Sequence, residues 1–176
     1  MQFQISRDAL LKPLQLVSGV VERRQTLPVL ANVLLVLRER ELSLTGTDLE
    51  VELVGKTDVD QAIQSGEVTV PARKLLDICK SLSDGAIVDF ALEDTKLVLK
   101  SGRSRFSLTT LAASEFPNVE EEPDTFSLRI GQSILRQLLE NTSFAMAQQD
   151  VRYYLNGMLF EVGKDYLRLV ATDGHR

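Results

Sequence analysis

Slid against itself by 125 positions without a gap, the sequence lays residues 3–48 on residues 128–173, and ten of these 46 pairs are identical. The matches join Ile5 to Ile130, Leu10 to Leu135, Leu14 to Leu139, Ser18 to Ser143, Leu30 to Leu155 and Leu34 to Leu159. Leu42, Leu44, Thr47 and Asp48 pair likewise with Leu167, Leu169, Thr172 and Asp173. Two Leu-rich amphipathic segments can reach ten identities by chance. The apolar pattern at the unmatched positions and the shared Thr-Asp end favour a duplicated domain. Duplication is a strong constraint, because the second copy must open with whatever fold the first adopts. After Asp48 the first copy continues as far as an acidic linker, whereas the second ends three residues beyond Asp173. The second copy therefore reads as truncated, and the natural chain is expected to be longer, since half a domain leaves strand edges and half a core open.

Charge locates the junction between the copies. Glu115, Glu120, Glu121, Glu122 and Asp124 carry the whole net charge of −5. The same stretch holds Pro117 and Pro123, which resist helix and central strand. A first domain over 1–120 and the start of a second over 121–176 follow. Outside the linker, acids and bases balance, so the acidic total does not exclude a polyanionic partner.

Within each copy the pattern predicts strand, helix, strand, turn, strand. Phe3 to Ile5 alternates, Ser6 is an N-cap, and Leu10, Leu14, Val17 and Val21 form one helical face. Pro13 should kink the early turns. The second helix is expected over 132–146, its face running through Ile134, Leu135, Leu138, Leu139 and Met146. Strands are expected at 27–37 and 41–47, and again at 153–162 and 166–172, joined by short polar hairpins. Further strands are expected at 67–70, 87–92, 97–100 and 106–111, with a helix over 72–82. The fold class is α+β, each complete domain carrying two helices and many strands.

Several function classes drop out. A lone Cys79 and a lone His175 make neither a disulfide framework nor a zinc site, and no metal or cofactor is expected. No GxGxxG or GxxxxGK[ST] loop is present to cradle phosphate. No apolar run approaches the ~20 residues of a membrane span, and the Met1 end does not resemble a secretion signal, so the chain reads as cytoplasmic. The helix-exit loops are richer. Glu22-Arg23-Arg24-Gln25 follows the first helix, and Gln148, Gln149, Asp150, Arg152, Tyr153 and Tyr154 occupy the matching place in the second copy. Arginine pairs with phosphate and tyrosine offers a face to unpaired bases. Taken singly, each residue reads as ordinary solvated surface; their recurrence at equivalent points tilts the balance towards a nucleic-acid surface.

The runs QDVRYYLNGMLFEV and VATDGHR, with TLPVLANVLL, LSLTGTDLEVE, VPARKLLDICKSL and SGRSRFSLTTL, resemble the bacterial DNA sliding clamp family, the beta subunit of the replicative polymerase. The resemblance spans essentially the whole chain. It implies the DNA-clamp fold: three similar α+β domains per chain, with helices lining the hole of a head-to-tail dimeric ring. This sequence would cover the first domain and the start of the second, with the third absent. The implied protein encircles DNA without reading its sequence and tethers polymerase. It is a processivity factor and not an enzyme.

The family's DNA contacts carry over to Arg24, Arg73, Gln149, Tyr153 and Tyr154. Its pocket for short linear peptides of polymerase subunits, the clamp loader and repair proteins carries over to Leu155, Thr172, Gly174, His175 and Arg176, with Arg152 near the mouth. The rest of that pocket belongs to parts of the family outside this chain. The homodimer interface carries over to Lys74, Lys96, Arg103, Arg105, Phe106 and Leu108 along an edge strand. Lys96 stands where some relatives have arginine, which keeps the charge but not the fork. Two other readings stay open: a generic interaction module of tandem α+β domains, and a hydrolase using Asp173 and His175, which would need a nucleophile.

Overall fold

The computed structural model describes residues 1–21, 27–117 and 127–176. Arg24 and the acidic end of the linker lie outside them. The chain divides into two compact units, Met1–Glu121 and Glu122–Arg176.

In the first unit, β1 (Gln2–Ser6) leads into helix α1 (Arg7–Val17), whose first turn is capped by the Ser6 hydroxyl accepting from Ala9 N–H. A 3₁₀ turn at Pro28–Ala31 precedes β2 (Asn32–Arg38), β3 (Glu41–Thr47), β4 (Glu52–Asp58), β5 (Gln61–Gln64) and β6 (Gly66–Pro71). Helix α2 (Ala72–Ser81) follows, then β7 (Ile87–Glu93), β8 (Lys96–Ser101) and β9 (Ser104–Thr109). The strands form two antiparallel sheets, ordered β5-β1-β7-β8-β9 and β4-β3-β2-β6. Alternate side chains of both sheets meet the apolar faces of α1 and α2 in one core. Phe3, Ile5, Leu10, Leu14, Leu35, Leu44, Leu75, Phe90 and Leu99 are buried there.

Pro13 does not interrupt α1. It is buried, and the space it needs is supplied by Gly55, where a Cβ would stand 2.7 Å from the proline Cβ. Gly46 serves α1 in the same way: a Cβ there would lie 2.6 Å from the Val17 carbonyl oxygen. Two glycines on adjacent strands thus let the helix backbone approach the sheet.

The second unit repeats the opening of the first. Helix α3 spans Gln132–Thr142 and a 3₁₀ turn spans Tyr153–Asn156, the images of α1 and of Pro28–Ala31 under the shift of 125. The helix stops short of the expected 146: the chain tightens into a 3₁₀ turn at Ser143–Ala145 and leaves Met146 in extended backbone, off the α3 face. Strands β10 (Leu159–Val162) and β11 (Leu167–Val170) pair in the same register, Leu34 opposite Thr45 becoming Leu159 opposite Val170. The expected strands at 27–37 and 153–162 therefore start later than their composition indicates, each behind a 3₁₀ turn. Residues 127–130 form no strand, although they are the image of β1. In the first unit β1 is held between β5 and β7, and the sequence contains no second copy of those strands. For the same reason the α3 stripe stays open. Leu139 is 36% exposed, where its image Leu14 is fully buried.

Candidate functional site

The exit loop after α3 and the turn after β11 meet at one glycine. In the loop, Asp150 accepts from its neighbour Arg152 three times. The Arg152 backbone N–H (2.8 Å) and Nε (3.0 Å) donate to Oδ1, and Nη2 (2.9 Å) donates to Oδ2. Asn156 grips the Asp150 backbone on both sides, its Oδ1 accepting from the amide and its Nδ2 donating to the carbonyl, each at 3.0 Å. Gln149, at φ +57°, makes the bend that permits this. The Arg152 hydrogen bonds, side chain first, hold the Asp150 carboxyl down at about 2.

The turn is built from Thr172 and Asp173. Gly174 N–H donates to the Thr172 hydroxyl at 3.0 Å, while His175 N–H (2.9 Å) and Arg176 N–H (3.1 Å) donate to Asp173 Oδ1. Arg176 Nε donates to Oδ2 at 3.0 Å, and its guanidinium lies 5.9 Å from the Phe144 ring centre. The His175 amide, with Arg176 behind it, lowers the Asp173 carboxyl below the usual carboxylate range. Gly174 sits at φ +87°, and a Cβ there would stand 3.4 Å from Arg152 Nη1. The guanidinium therefore lies against the turn in space a bare glycine leaves.

The first unit holds the same turn. Thr47 takes the Leu49 amide at 3.0 Å, and Asp48 Oδ1 takes the amides of Glu50 (2.9 Å) and Val51 (2.7 Å). Leu49, the image of Gly174, keeps the left-handed backbone at φ +79° despite its side chain. The duplicated Thr-Asp pair is thus a duplicated hydrogen-bond pattern, in which hydroxyl and carboxylate replace missing backbone partners.

Of the residues expected to line a peptide pocket, Leu155 is buried while Thr172, Gly174, His175, Arg152 and Arg176 are exposed. Tyr153 and Tyr154 project at 83% and 66% exposure with rings edge to face, 6.0 Å apart, and Gln149 is exposed as well. An acid-base pair of Asp173 with the His175 ring does not form: Asp173 contacts the His175 backbone amide, and Arg176 takes its other oxygen. Sequence reading missed the roles of Asp150, Asn156 and Phe144. Only the spacing Asp-x-Arg in a helix-exit loop pointed to the first of them.

In the first unit, Arg73 and Lys74 are exposed on the opening turn of α2. Strand β9 ends its sheet, paired on one side by β8. Arg103 and Arg105 are exposed, Arg105 reaching Glu93 at 3.4 Å, and Lys96 is exposed at the start of β8. Phe106 is half-buried against the core, while Leu108 is 5% exposed and belongs to the core itself. Leu108 thus braces the edge strand from within.

Two family models match in order. The DNA polymerase III beta subunit N-terminal domain covers residues 1–120, and the central domain of the same subunit covers residues 129–176. The chain belongs to the DNA polymerase III beta subunit family. The beta sliding clamp of Pseudomonas aeruginosa strain PAO1 is 65% identical over 176 residues, all of this chain and 48% of the relative. The crystal structure of the Pseudomonas aeruginosa subunit is similar at TM-score 0.96 and 63% identity, over 99% of this chain and 48% of that one. A second structure from that organism, a sliding clamp bound to griselimycin, is similar at TM-score 0.95 and 65% identity, over 99% and 47%. The chain spans about half the length of the curated relatives it matches. Its fold is that of the sliding clamps.

Proposed function

We propose that this chain supplies the first domain (1–120) and the opening of the second (121–176) of a ring-shaped DNA sliding clamp. The full-length protein encircles duplex DNA and tethers the replicative polymerase, adding processivity without catalysing a reaction. The observation that carries this reading is that the N-terminal and central domain models fall, in order, on the two copies of one internal repeat. A ring works by topology, so its phosphate contacts can be weak and sequence-blind, and an acidic total charge is no obstacle.

On this reading Arg24 and Arg73 touch duplex phosphates, and Gln149 with the projecting Tyr153 and Tyr154 takes single-stranded DNA by stacking. The free edge of β9, with Lys74, Lys96, Arg103, Arg105, Phe106 and Leu108, pairs with a second copy to close the homodimer. An unpaired edge strand needs such a cover. The groove of Leu155, Thr172, Gly174, His175 and Arg176, with Arg152 at its mouth, accepts short peptide motifs of polymerase subunits, the clamp loader and repair proteins. A few anchors in an apolar pocket suit a site that exchanges partners. The griselimycin complex of a close relative is compatible with such a site.

The test is a quadruple substitution of Arg73, Gln149, Tyr153 and Tyr154 by alanine in the full-length protein, with binding to fluorescent primed DNA read by anisotropy. Affinity should fall at least tenfold, since each stacked base is worth about 1–3 kcal/mol. Unchanged affinity would remove these residues from the DNA surface and favour a plain protein-interaction module.

A further inference from the structure

The sequence holds four asparagines, and Asn156 alone is followed by glycine. The backbone nitrogen of the residue after an asparagine can attack the side-chain amide carbon, and glycine, without a Cβ, leaves that nitrogen the most room. Asn156 and Gly157 are both exposed. Gly157 ends the 3₁₀ turn of Tyr153–Asn156, and its N–H meets no acceptor among the described residues. The group that must lose a proton and attack is therefore open to water. The group it attacks is polarised. Asp150 N–H donates at 3.0 Å to Asn156 Oδ1, the oxygen that gathers negative charge when the amide carbon becomes tetrahedral.

The same side chain latches the exit loop. Asn156 Nδ2 donates to the Asp150 carbonyl at 3.0 Å, so one asparagine holds both backbone groups of the residue that clasps Arg152. We propose that Asn156 is a site of spontaneous deamidation, and that its conversion unlatches the loop carrying Arg152. The Gly157 nitrogen gives its proton to solvent base and bonds to the Asn156 side-chain carbon. The bond from that carbon to Nδ2 breaks, and Nδ2 leaves as ammonia. Water then opens the cyclic imide at either carbonyl, giving aspartate or the isomer whose backbone runs through the side chain. Neither product keeps the Nδ2 donor. A carboxylate cannot donate to the Asp150 carbonyl, so that hydrogen bond is lost, and a second negative charge joins Asp150 in one short loop.

The test incubates the full-length protein at mildly alkaline pH and locates the amide-to-acid mass gain by peptide mapping. Asn156 should convert ahead of the other three asparagines, and faster as pH rises, because the attacking amide must lose its proton. Gly157→Ala should suppress the gain and leave the fold intact: Gly157 stands at φ −115°, and a Cβ there meets nothing nearer than the Tyr154 carbonyl oxygen at 4.0 Å. Unlatching is read separately on Asn156→Asp, by trypsin cleavage between Arg152 and Tyr153. A clasped arginine resists the protease, and removing one hydrogen bond from the loop should speed this cut by about fivefold. Conversion at Asn156 no faster than in Gly157→Ala overturns the modification site, and unchanged cleavage of Asn156→Asp overturns the latch. Neither readout depends on the reading of this loop as a DNA surface.

Discussion

Replacing Gly46 by alanine tests how α1 is seated. Exchanging glycine for alanine inside a strand normally stabilises, by about 0.4–1 kcal/mol, because the unfolded chain loses freedom. Here the added methyl would stand 2.6 Å from the Val17 carbonyl oxygen and 3.3 Å from its carbon, and contacts under about 3.0 Å are not tolerated. The obstacle is helix backbone, which no rotamer change can move aside, so α1 must retreat by about 0.4 Å or more. That loosens Leu10, Leu14 and Val17, all buried on the helix face. Overpacking of this kind costs about 1–3 kcal/mol, and the entropic gain leaves a net loss of about 1–2 kcal/mol. For a domain of this size the melting temperature should fall by roughly 4–8 °C, read by calorimetry or circular dichroism. A melting temperature equal to or above the parent's would refute the argument, because the generic effect of the substitution has the opposite sign.

Other outcomes follow from the same structure. The Asp8 carboxyl is held below its usual range by Arg7, whose Nη1 donates at 2.7 Å, and by the Gly85 amide at 2.9 Å. A depressed carboxyl stabilises above its unfolded value, and that contribution is lost as pH falls through the folded one. Asp8→Asn should therefore lower stability at pH 7 and flatten the loss of stability below about pH 4, as read by urea unfolding against pH. Burial pushes the Cys79 thiol up to about 11. The folded protein should stay unlabelled by a thiol reagent at pH 8 and react once denatured; ready labelling of the native state would contradict this burial. Leu75→Ala empties a fully buried position of α2 and should cost about 2–5 kcal/mol. A smaller loss in denaturant unfolding would mean that α2 is less tightly docked than it stands here.

The first unit was legible where local chemistry decides structure. The Ser6 cap, the stripe of α1, the α2 stripe through Leu75 and Cys79, and the β2-β3 hairpin follow from spacing alone. The sequence did not display β4 and β5, which are polar and sit at sheet edges, so alternation is weak there. Pro13 is accommodated against the sheet by Gly55, a neighbour 42 residues away that helical spacing does not reveal. At 127–130 the pattern of a strand is present and the strand is not, because a strand is made by its neighbours. The exit loop was visible as a cluster of residue types, whereas Thr172, Gly174 and Arg176 entered the site only through the family resemblance. That Asp150 clasps Arg152, and that Asp173 serves backbone amides and not the His175 ring, depends on chain reversals that spacing does not encode.

The clamp reading stands or falls on topology. The full-length protein would be assembled on a nicked circular plasmid, with clamp loader and ATP, and isolated by gel filtration before and after one restriction cut. A ring that slides is retained on the circle and lost when the DNA is linearised. Equal retention on circular and linear DNA would mean adhesive binding, and no retention on either would mean that no ring closes; each result contradicts the account.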